Sequence, residues 1–427
     1  MTLPDTLAGW LDYIERQHPQ AIAMGLDRVV LVREALALRP AFPVITVGGT
    51  NGKGSACMML DAILGHAGYR VGTYTSPHLL RYNERVRIAG KEAGDADLVR
   101  AFAAVERARR DCGVPLTYFE FGTLAAMWLF RECRVDAAIL EVGLGGRLDA
   151  VNAFDADAAL LMSVDLDHME YLGSTREAVG AEKAPIFRAG RPAICADPDP
   201  PVTVTDHAAR INAGLLQIGR DFGFMVQPRQ WHYRGPGGDR HGLPLPALRG
   251  SFQVANASAC IAALDALRER LPVAAADIRG GLVRVENPGR FQVLPGRPAV
   301  ILDVAHNPHA AAALAANLAQ MTGYRQTLAV FSMLKDKDVT GVARALRGHV
   351  DHWLVAPLTG PRAIHAAVLE QCLRAAGVST GITPCVNIAE ACDCAYRMAG
   401  EDDRILAFGS FLTVAAAMTA IRARRKQ

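Results

Sequence analysis

A lysine in a glycine-rich turn, Gly49-Thr-Asn-Gly-Lys-Gly-Ser55, follows the β-branched run Val44-Ile-Thr-Val47 and precedes a helix-compatible stretch from Ala56 to Leu64. Glycines let backbone N–H groups turn toward an anion, a helix N-terminus adds a partial positive charge, and Lys53 adds a full one. Strand, glycine-rich loop and helix in that order build a phosphate site. The loop departs from the regular phosphate-loop pattern twice. Val47 stands where that pattern has glycine, and Gly54 separates Lys53 from Ser55.

Four further polar clusters follow: Thr75-Ser-Pro-His78, Glu141-Val-Gly-Leu-Gly-Gly-Arg147, Asp165-Leu-Asp-His168 and Glu182-Lys183. The first three sit at the ends of predicted strands, where open α/β sheets bind ligands. The fourth lies on a predicted helix. Glu141 ends an otherwise apolar strand, and a buried carboxylate without compensation is costly. Either a salt bridge to Arg147 or Lys53, or a magnesium ion with Ser55 and Ser76 as hydroxyl ligands, supplies the compensation. His168 reads as a hydrogen-bonding or acid–base residue as readily as a ligand. Gly143 to Arg147 combines close backbone approach with a cation and could clamp an anionic substrate. Farther along, Asp303-Val-Ala-His-Asn-Pro308 closes a strand so that Asp303 and His306 can reach a nucleotide. Asn307 before Pro308 also reads as a simple helix cap. Arg290 reads either as a phosphate-binding cleft arginine or as a solvated one.

The elements that must position these residues alternate between strand and helix. Residues 6–40 read as helical, with Leu7, Trp10, Leu11 and Ile14 on one face. Strands are predicted at 69–75, 136–142 and 158–164, and helices at 98–110, 121–132 and 255–268. The continuous apolar strands suit a parallel sheet covered on both faces. The stretch 190–250 is rich in Pro, Gly and polar residues, and its turn cluster at Tyr233 to Asp239 reads as a hairpin or surface excursion. After Asn287-Pro-Gly289 a second α/β pattern begins. Its strands are predicted at 299–303, 327–332, 352–356 and 404–408, and a helix at 309–321. The expected fold class is α/β: an N-terminal phosphate-loop ATPase domain on a parallel sheet over 1–289, a linker over 290–298, and a smaller Rossmann-like domain over 299–427, with a cleft between them. Arg422 to Lys426 reads as a basic helix end that complements the helix dipole.

Length and composition agree. A chain of 427 residues exceeds one comfortable core. A charged fraction of 21% beside 51% hydrophobic residues is globular, not disordered. With 46 basic against 43 acidic residues, the net charge of +3 carries no footprint for nucleic acid or an anionic membrane. No apolar run reaches the roughly 20 residues that span a bilayer, and Met1 to Asp5 does not read as a signal peptide. Nine scattered cysteines, with Cys392 and Cys394 close but no second pair at zinc spacing, read as reduced thiols of a cytoplasmic protein. No long heptad appears, so a monomer is expected.

In their joint order the motifs resemble the folylpolyglutamate synthases, in particular the bifunctional kind that is also dihydrofolate synthase, related to the Mur ligases. They are the loop at 49–55, Thr75 to Leu79 with Arg81-Tyr-Asn-Glu-Arg85, Tyr118 to Thr123, Glu141 to Asp149, Asp167-His168, Glu182 to Ala184, Pro288-Gly-Arg290 and Asp303 to Pro308. The resemblance covers essentially the whole chain. It implies an ATP-dependent ligase that adds L-glutamate to dihydropteroate and to the γ-carboxylate of reduced folates through an acyl phosphate. It places Thr50, Asn51, Gly52, Lys53, Gly54 and Ser55 on the ATP phosphates. Ser76, Glu141 and His168 fall at magnesium positions, and Lys183 at a lysine that carbon dioxide converts to a carbamate able to help hold a second ion. Lys53, Glu141, His168 and Lys183 form the implied catalytic set. Asn256, Arg290, Asp303 and His306 fall at nucleotide contacts. Gly25, Leu26, Thr117, Tyr118, Phe119, Glu120, Leu148, Asp149 and Ala150 fall in the pterin pocket. Met24 to Arg28 resembles the segment that bifunctional members use, with Asp27 where relatives carry glutamate. A synthase of polyglutamate tails only, a Mur-type amino-acid ligase and a non-enzymatic nucleotide switch are the rival readings. Gly54 and the Thr75 to His78 loop argue against the Mur-type reading, and the Asp303–His306 turn against a switch.

Overall fold

The computed structural model describes residues 3–20, 22–379 and 381–424. Two compact units emerge, residues 1–247 with 254–285, and residues 248–253 with 286–427.

The first unit is built on eight strands: β1 (Val44–Gly48), β2 (Val71–Tyr74), β3 (Val86–Ile88), β4 (Lys91–Glu92), β5 (Ala137–Glu141), β6 (Ala158–Leu161), β7 (Pro192–Cys195) and β8 (Gly214–Gln217). Their order is β4-β3-β2-β5-β1-β6-β7-β8. From β2 to β8 all neighbours are parallel, with Val47 opposite Glu141 and Gly48 opposite Leu161. Burial explains the composition. β1, β2, β5 and β6 are buried throughout, as strands covered by helices on both faces must be. A small antiparallel sheet of β9 (Gly223–Val226), β10 (Gln230–Arg234) and β11 (Arg240–Pro244) forms the excursion, and the turn cluster at 233–239 joins β10 to β11.

The helices of this unit are α1 (Leu7–Glu15), α2 (Asp27–Ala35), α3 (Lys53–His66), α4 (Asp95–Cys112), α5 (Tyr118–Glu132), α6 (Met169–Leu172), α7 (Arg176–Lys183), α8 (Val202–Arg210), α9 (Gln253–Ala266) and α10 (Ala275–Arg284). The continuous helical reading of residues 6–40 is corrected to two helices. Pro19 lacks the N–H that a helix needs, and Gly25 takes a φ of 143°, so residues 16–20 and 22–26, between α1 and α2, form an irregular strap. The apolar face read from Leu7, Trp10 and Ile14 is buried as expected, against a cluster that includes Phe102, Phe121 and Phe130.

One buried charge pins α1 to this core. Glu106 of α4 is fully buried and accepts from Tyr13 Oη (2.6 Å), Arg109 and Arg110. Burial pushes its carboxyl up, but the bonds from Arg109, Tyr13 and Arg110 outweigh that and hold it below its usual range. Glu106→Ala is expected to destabilise the chain by about 3 kcal/mol, because it strands the mostly buried Arg109 guanidinium and takes the acceptor from the Tyr13 hydroxyl. Chemical denaturation would show this as a lower midpoint with an unchanged slope, and an unchanged midpoint would refute it.

The second unit carries β12 (Gln292–Leu294), β13 (Ala299–Asp303), β14 (Thr327–Phe331), β15 (His352–Val355), β16 (Ile382–Pro384) and β17 (Arg404–Phe408), in the order β12-β13-β17-β14-β15-β16. Only β12 pairs antiparallel. Helices α11 (Pro308–Gln320), α12 (Val339–Leu346), α13 (Ala366–Ala375), α14 (Ile388–Met398) and α15 (Phe411–Arg424) complete it around Phe331, Trp353 and Phe408. The basic helix end falls partly outside the described residues. Short β16 escaped sequence reading because Ile382-Thr-Pro384 has no periodicity. Each of the nine cysteines is a free thiol. Among the described residues, no helix is long and apolar enough to cross a membrane.

Candidate active site

Sheet order gathers the polar clusters. β2, β5, β1 and β6 are consecutive and parallel, so the segments leaving their carboxyl ends lie side by side. These segments are Thr75 to His78, Glu141 to Arg147, Gly49 to Ser55, and Met162 to His168.

The loop after β1 is braced along its first half. Thr50 N donates to Ser163 O (2.7 Å), and Asn51 N donates to Ser163 Oγ (3.0 Å). Thr50 Oγ1 donates to Asp165 O (2.9 Å) and accepts from Asp165 N (3.0 Å). Gly49 permits this closeness. Its φ is 140°, and a Cβ there would lie 3.0 Å from Ser163 N. Gly52, at φ 88°, turns the chain into α3, where Ala56 N to Gly52 O is the first intrahelical bond. The N–H groups of residues 53–55 therefore precede the helix ladder, the arrangement that binds anions. Asn256 Oδ1 packs 2.9 Å from where a Gly52 Cβ would be. Lys53 Nζ donates to Gly49 O (2.8 Å) and Thr50 O (3.1 Å).

Lys183, at the end of α7, is 5% exposed and donates from Nζ to the same Gly49 O (3.2 Å). Burial first, and then the charge of Lys53, lower its amine to about 7. Glu182, beside it, pairs with Arg147 (2.7 Å). Glu141 is 3% exposed, and its Oε2 accepts the N–H of Ser76 (3.0 Å). Ser55 is buried at the start of α3. His168 caps α6 in the left-handed region, φ 51° and ψ 43°. Among the described residues no three His, Cys, Asp or Glu side chains gather to hold a metal. One buried carboxylate, hydroxyls and one imidazole are what this edge offers. That set suits an ion that keeps waters and substrate phosphates as its remaining ligands, as magnesium does.

Beside Glu141 opens a cavity of about 220 Å³. Its walls include Ile22, Ala23 and Met24 of the strap, Ser76, Pro77, Arg85, Thr117, Phe119, Glu120, Gly143, Leu144, Leu148, Asp149 and Ala150. Of the residues expected in a pterin pocket, Thr117, Phe119, Glu120, Leu148, Asp149 and Ala150 line it. Gly25 and Tyr118 are chain neighbours of wall residues, and Leu26 lies two residues beyond Met24. Thr117 and Glu120 form a reciprocal cap on α5, and Glu120 also binds Arg28, which reaches Ala23 O. Burial drives the Asp149 carboxyl up to about 6, against the pull of the Leu144 and Val151 N–H groups. Arg85 lies over the rings of Tyr82 and Tyr118. The Arg81 to Arg85 motif gives Arg85 no role by itself, and Ser163, an isolated serine, carries no local signal in the sequence.

In the second unit, Asp303 shapes its own turn by accepting from Phe291 N and Ala305 N (both 2.8 Å). Burial raises its carboxyl, partly countered by those N–H groups and Arg290. Arg290 sits 4.8 Å over the Phe411 ring, and His306 lies 6.5 Å from the same ring. Arg290, Asp303 and His306 are thus one cluster, organised around an aromatic that sequence reading did not single out. Asn307 is the helix cap, accepting from Ala310 N (2.8 Å).

Family models match in two blocks, the Mur ligase middle domain over residues 47–264 and the Mur ligase glutamate ligase domain over residues 289–411. The dihydrofolate synthase/folylpolyglutamate synthase of Escherichia coli K12 is 45% identical over 420 residues, 98% of this chain and 96% of that protein. The chain belongs to the dihydrofolate synthase/folylpolyglutamate synthase family. The protein of the same name from Mycobacterium tuberculosis is 32% identical over 93% of this chain and 88% of its own length. E. coli FolC in complex with DHPP and ADP aligns at a TM-score of 0.94 with 44% identity, covering all of both chains. A bifunctional member solved with Mn, AMPPNP and L-glutamate bound aligns at 0.90 with 43% identity, over 99% of this chain and 100% of that one. The resemblance and the two-part α/β fold read from sequence are borne out.

Proposed function

We propose that this ligase joins L-glutamate to dihydropteroate and to the γ-carboxylate of reduced folates, with ATP as the activating substrate. One observation carries the reading. Ser76 is at once a wall of the cavity and a hydrogen-bond donor to Glu141. A substrate carboxylate held in that cavity is presented to the edge where the glycine-rich loop and two lysines converge. The relatives solved with ADP, AMPPNP, Mn, DHPP and L-glutamate support the same choice of ligands.

A carboxylate is a poor acyl donor until phosphorylated, and phosphoryl transfer needs alignment and charge neutralisation above all. The N–H groups of Gly52 to Ser55 and the Lys53 ammonium hold the ATP phosphates. Asn256, Arg290, Asp303 and His306 are the proposed nucleotide contacts. Phe119, Leu148 and Ala150 cover the pterin, while Thr117, Glu120 and Asp149 supply its polar contacts. The bound carboxylate attacks the γ-phosphorus, ADP leaves, and the glutamate amine then displaces phosphate from the acyl phosphate. Magnesium, when bound, neutralises phosphate charge; Ser76, Glu141, His168 and carbamylated Lys183 would hold it. The first unit is the ATP and pterin domain, and the second brings glutamate and nucleotide contacts.

The test is glutamate-dependent ADP release, with dihydropteroate and tetrahydrofolate offered in turn. Activity with both is expected. Activity with tetrahydrofolate alone would restrict the enzyme to polyglutamylation, and activity with neither would overturn the assignment.

A further inference from the structure

Every polar group of Thr50 has a partner inside the protein. Its N–H goes to Ser163 O, its hydroxyl both gives to and takes from Asp165, and its carbonyl receives Lys53. A hydroxyl used in both directions has little left for a phosphate oxygen. The glycine-rich loop therefore splits into two halves. Gly52 to Ser55 carry the helix-terminal N–H groups that suit an anion. Thr50 and Asn51 grip the segment leaving β6.

That segment is gripped from its other side as well. Val164 N donates to Asp197 Oδ2 (2.8 Å), and Arg176 donates from Nε to Val164 O (2.9 Å). Three residues beyond Asp165, His168 holds a left-handed backbone. A non-glycine residue stays in that region only where its surroundings over-determine it. The two grips anchor the segment that leads to it, and His168 N itself donates to Asp167 Oδ1 (2.8 Å).

We propose that Thr50 is a positioning residue for His168, and that it acts on divalent-cation affinity rather than on the nucleotide phosphates. This rests on the reading of the loop as a nucleotide site and of His168 as a cation ligand. Two bonds from one hydroxyl fix residue 165 against the loop, and so fix where the imidazole begins. Arg176 does the same from the solvent side.

The experiment uses the full chain and two binding measurements. ADP affinity is read by calorimetry in EDTA, and Mn2+ affinity of the ADP complex by the spin-resonance signal of free Mn2+. Thr50→Val keeps the shape and removes the hydroxyl. It is expected to leave metal-free ADP binding within about two-fold while weakening Mn2+ about ten-fold. Thr50→Ser is expected to restore Mn2+ binding. Arg176→Met, outside the loop, is expected to give the same loss of Mn2+ alone, and it serves should Thr50→Val fold poorly. Weakened ADP binding in EDTA for Thr50→Val would make Thr50 a phosphate ligand and overturn the proposal. Unchanged Mn2+ affinity in Thr50→Val, or in Arg176→Met if that variant stands in, would overturn it equally. Failure of the wild-type chain to bind ADP would instead sink the nucleotide-site reading on which the proposal stands.

Discussion

Lys53→Ala is expected to abolish glutamate-dependent ADP release, by roughly 10³-fold or more in kcat, while the chain stays folded. Fixed positive charge at a transferring phosphoryl group is among the largest single contributions to such chemistry. Lys53 is the cation built into the loop itself, at the first position of α3. In this structure its ammonium donates to Gly49 O and Thr50 O, which tether it to the loop. Its stabilising role is small by comparison. Losing two hydrogen bonds at a half-buried position costs about 1–2 kcal/mol, and the braces from Thr50 and Asn51 to Ser163 remain. Thermal unfolding of the variant would confirm the intact fold, and normal turnover by that folded variant would refute the site assignment.

Lys183→Ala is expected to cost about 10²-fold or more in kcat, by analogy with the loss of other fixed charges at a reacting centre. Lys183 is 5% exposed, and its nearest acceptor is the carbonyl that Lys53 also uses. Two ammonium groups meeting at one carbonyl repel each other, and burial adds to the pressure on the inner one. Both effects favour an uncharged amine, the form that attacks carbon dioxide. A carbamate there would replace a repulsion with an attraction to Lys53 and present anionic oxygens toward a cation. With 13C-labelled bicarbonate, the wild-type chain is expected to show a carbamate carbonyl resonance that Lys183→Ala lacks. A wild-type spectrum without that resonance would remove the carbamate and leave Lys183 as a buried structural amine.

Legibility in the sequence followed the range of the interaction. β13 and β17 are legible to the residue because each is a short apolar run with a local break at both ends: Pro298 before β13 and Asp303 closing it, Asp403 before β17 and Gly409 after it. The strap between α1 and α2 was misread because the apolar spacing of α1 resumes in α2, and only Pro19 and Gly25 interrupt it. Asn307 was readable as a cap because its partner, Ala310 N, is three residues away. Arg147 illustrates the opposite case. Six residues from Glu141, it offered itself as that carboxylate's partner, yet it pairs with Glu182 across 35 residues of sequence.

The sequence by itself determined that the chain carries a phosphate site, an acidic residue in an apolar strand, and two α/β units of unequal size. These follow from local rules: glycine's freedom, the partial charge of a helix end and the period of apolar residues. Tertiary structure alone decided which clusters become neighbours. The β2-β5-β1-β6 order brings together residues 76, 141, 49 and 163, and parallel neighbours such as β1 and β5 are separated by some ninety residues of intervening chain. Thr50 meets Asp165 across 115 residues, and the cavity takes walls from four separate stretches of chain. Parallel pairing needs long crossovers, so no nearby residue records which strand lies next to which. The loop's chemistry is written in its own residues, and its partners are set by the sheet.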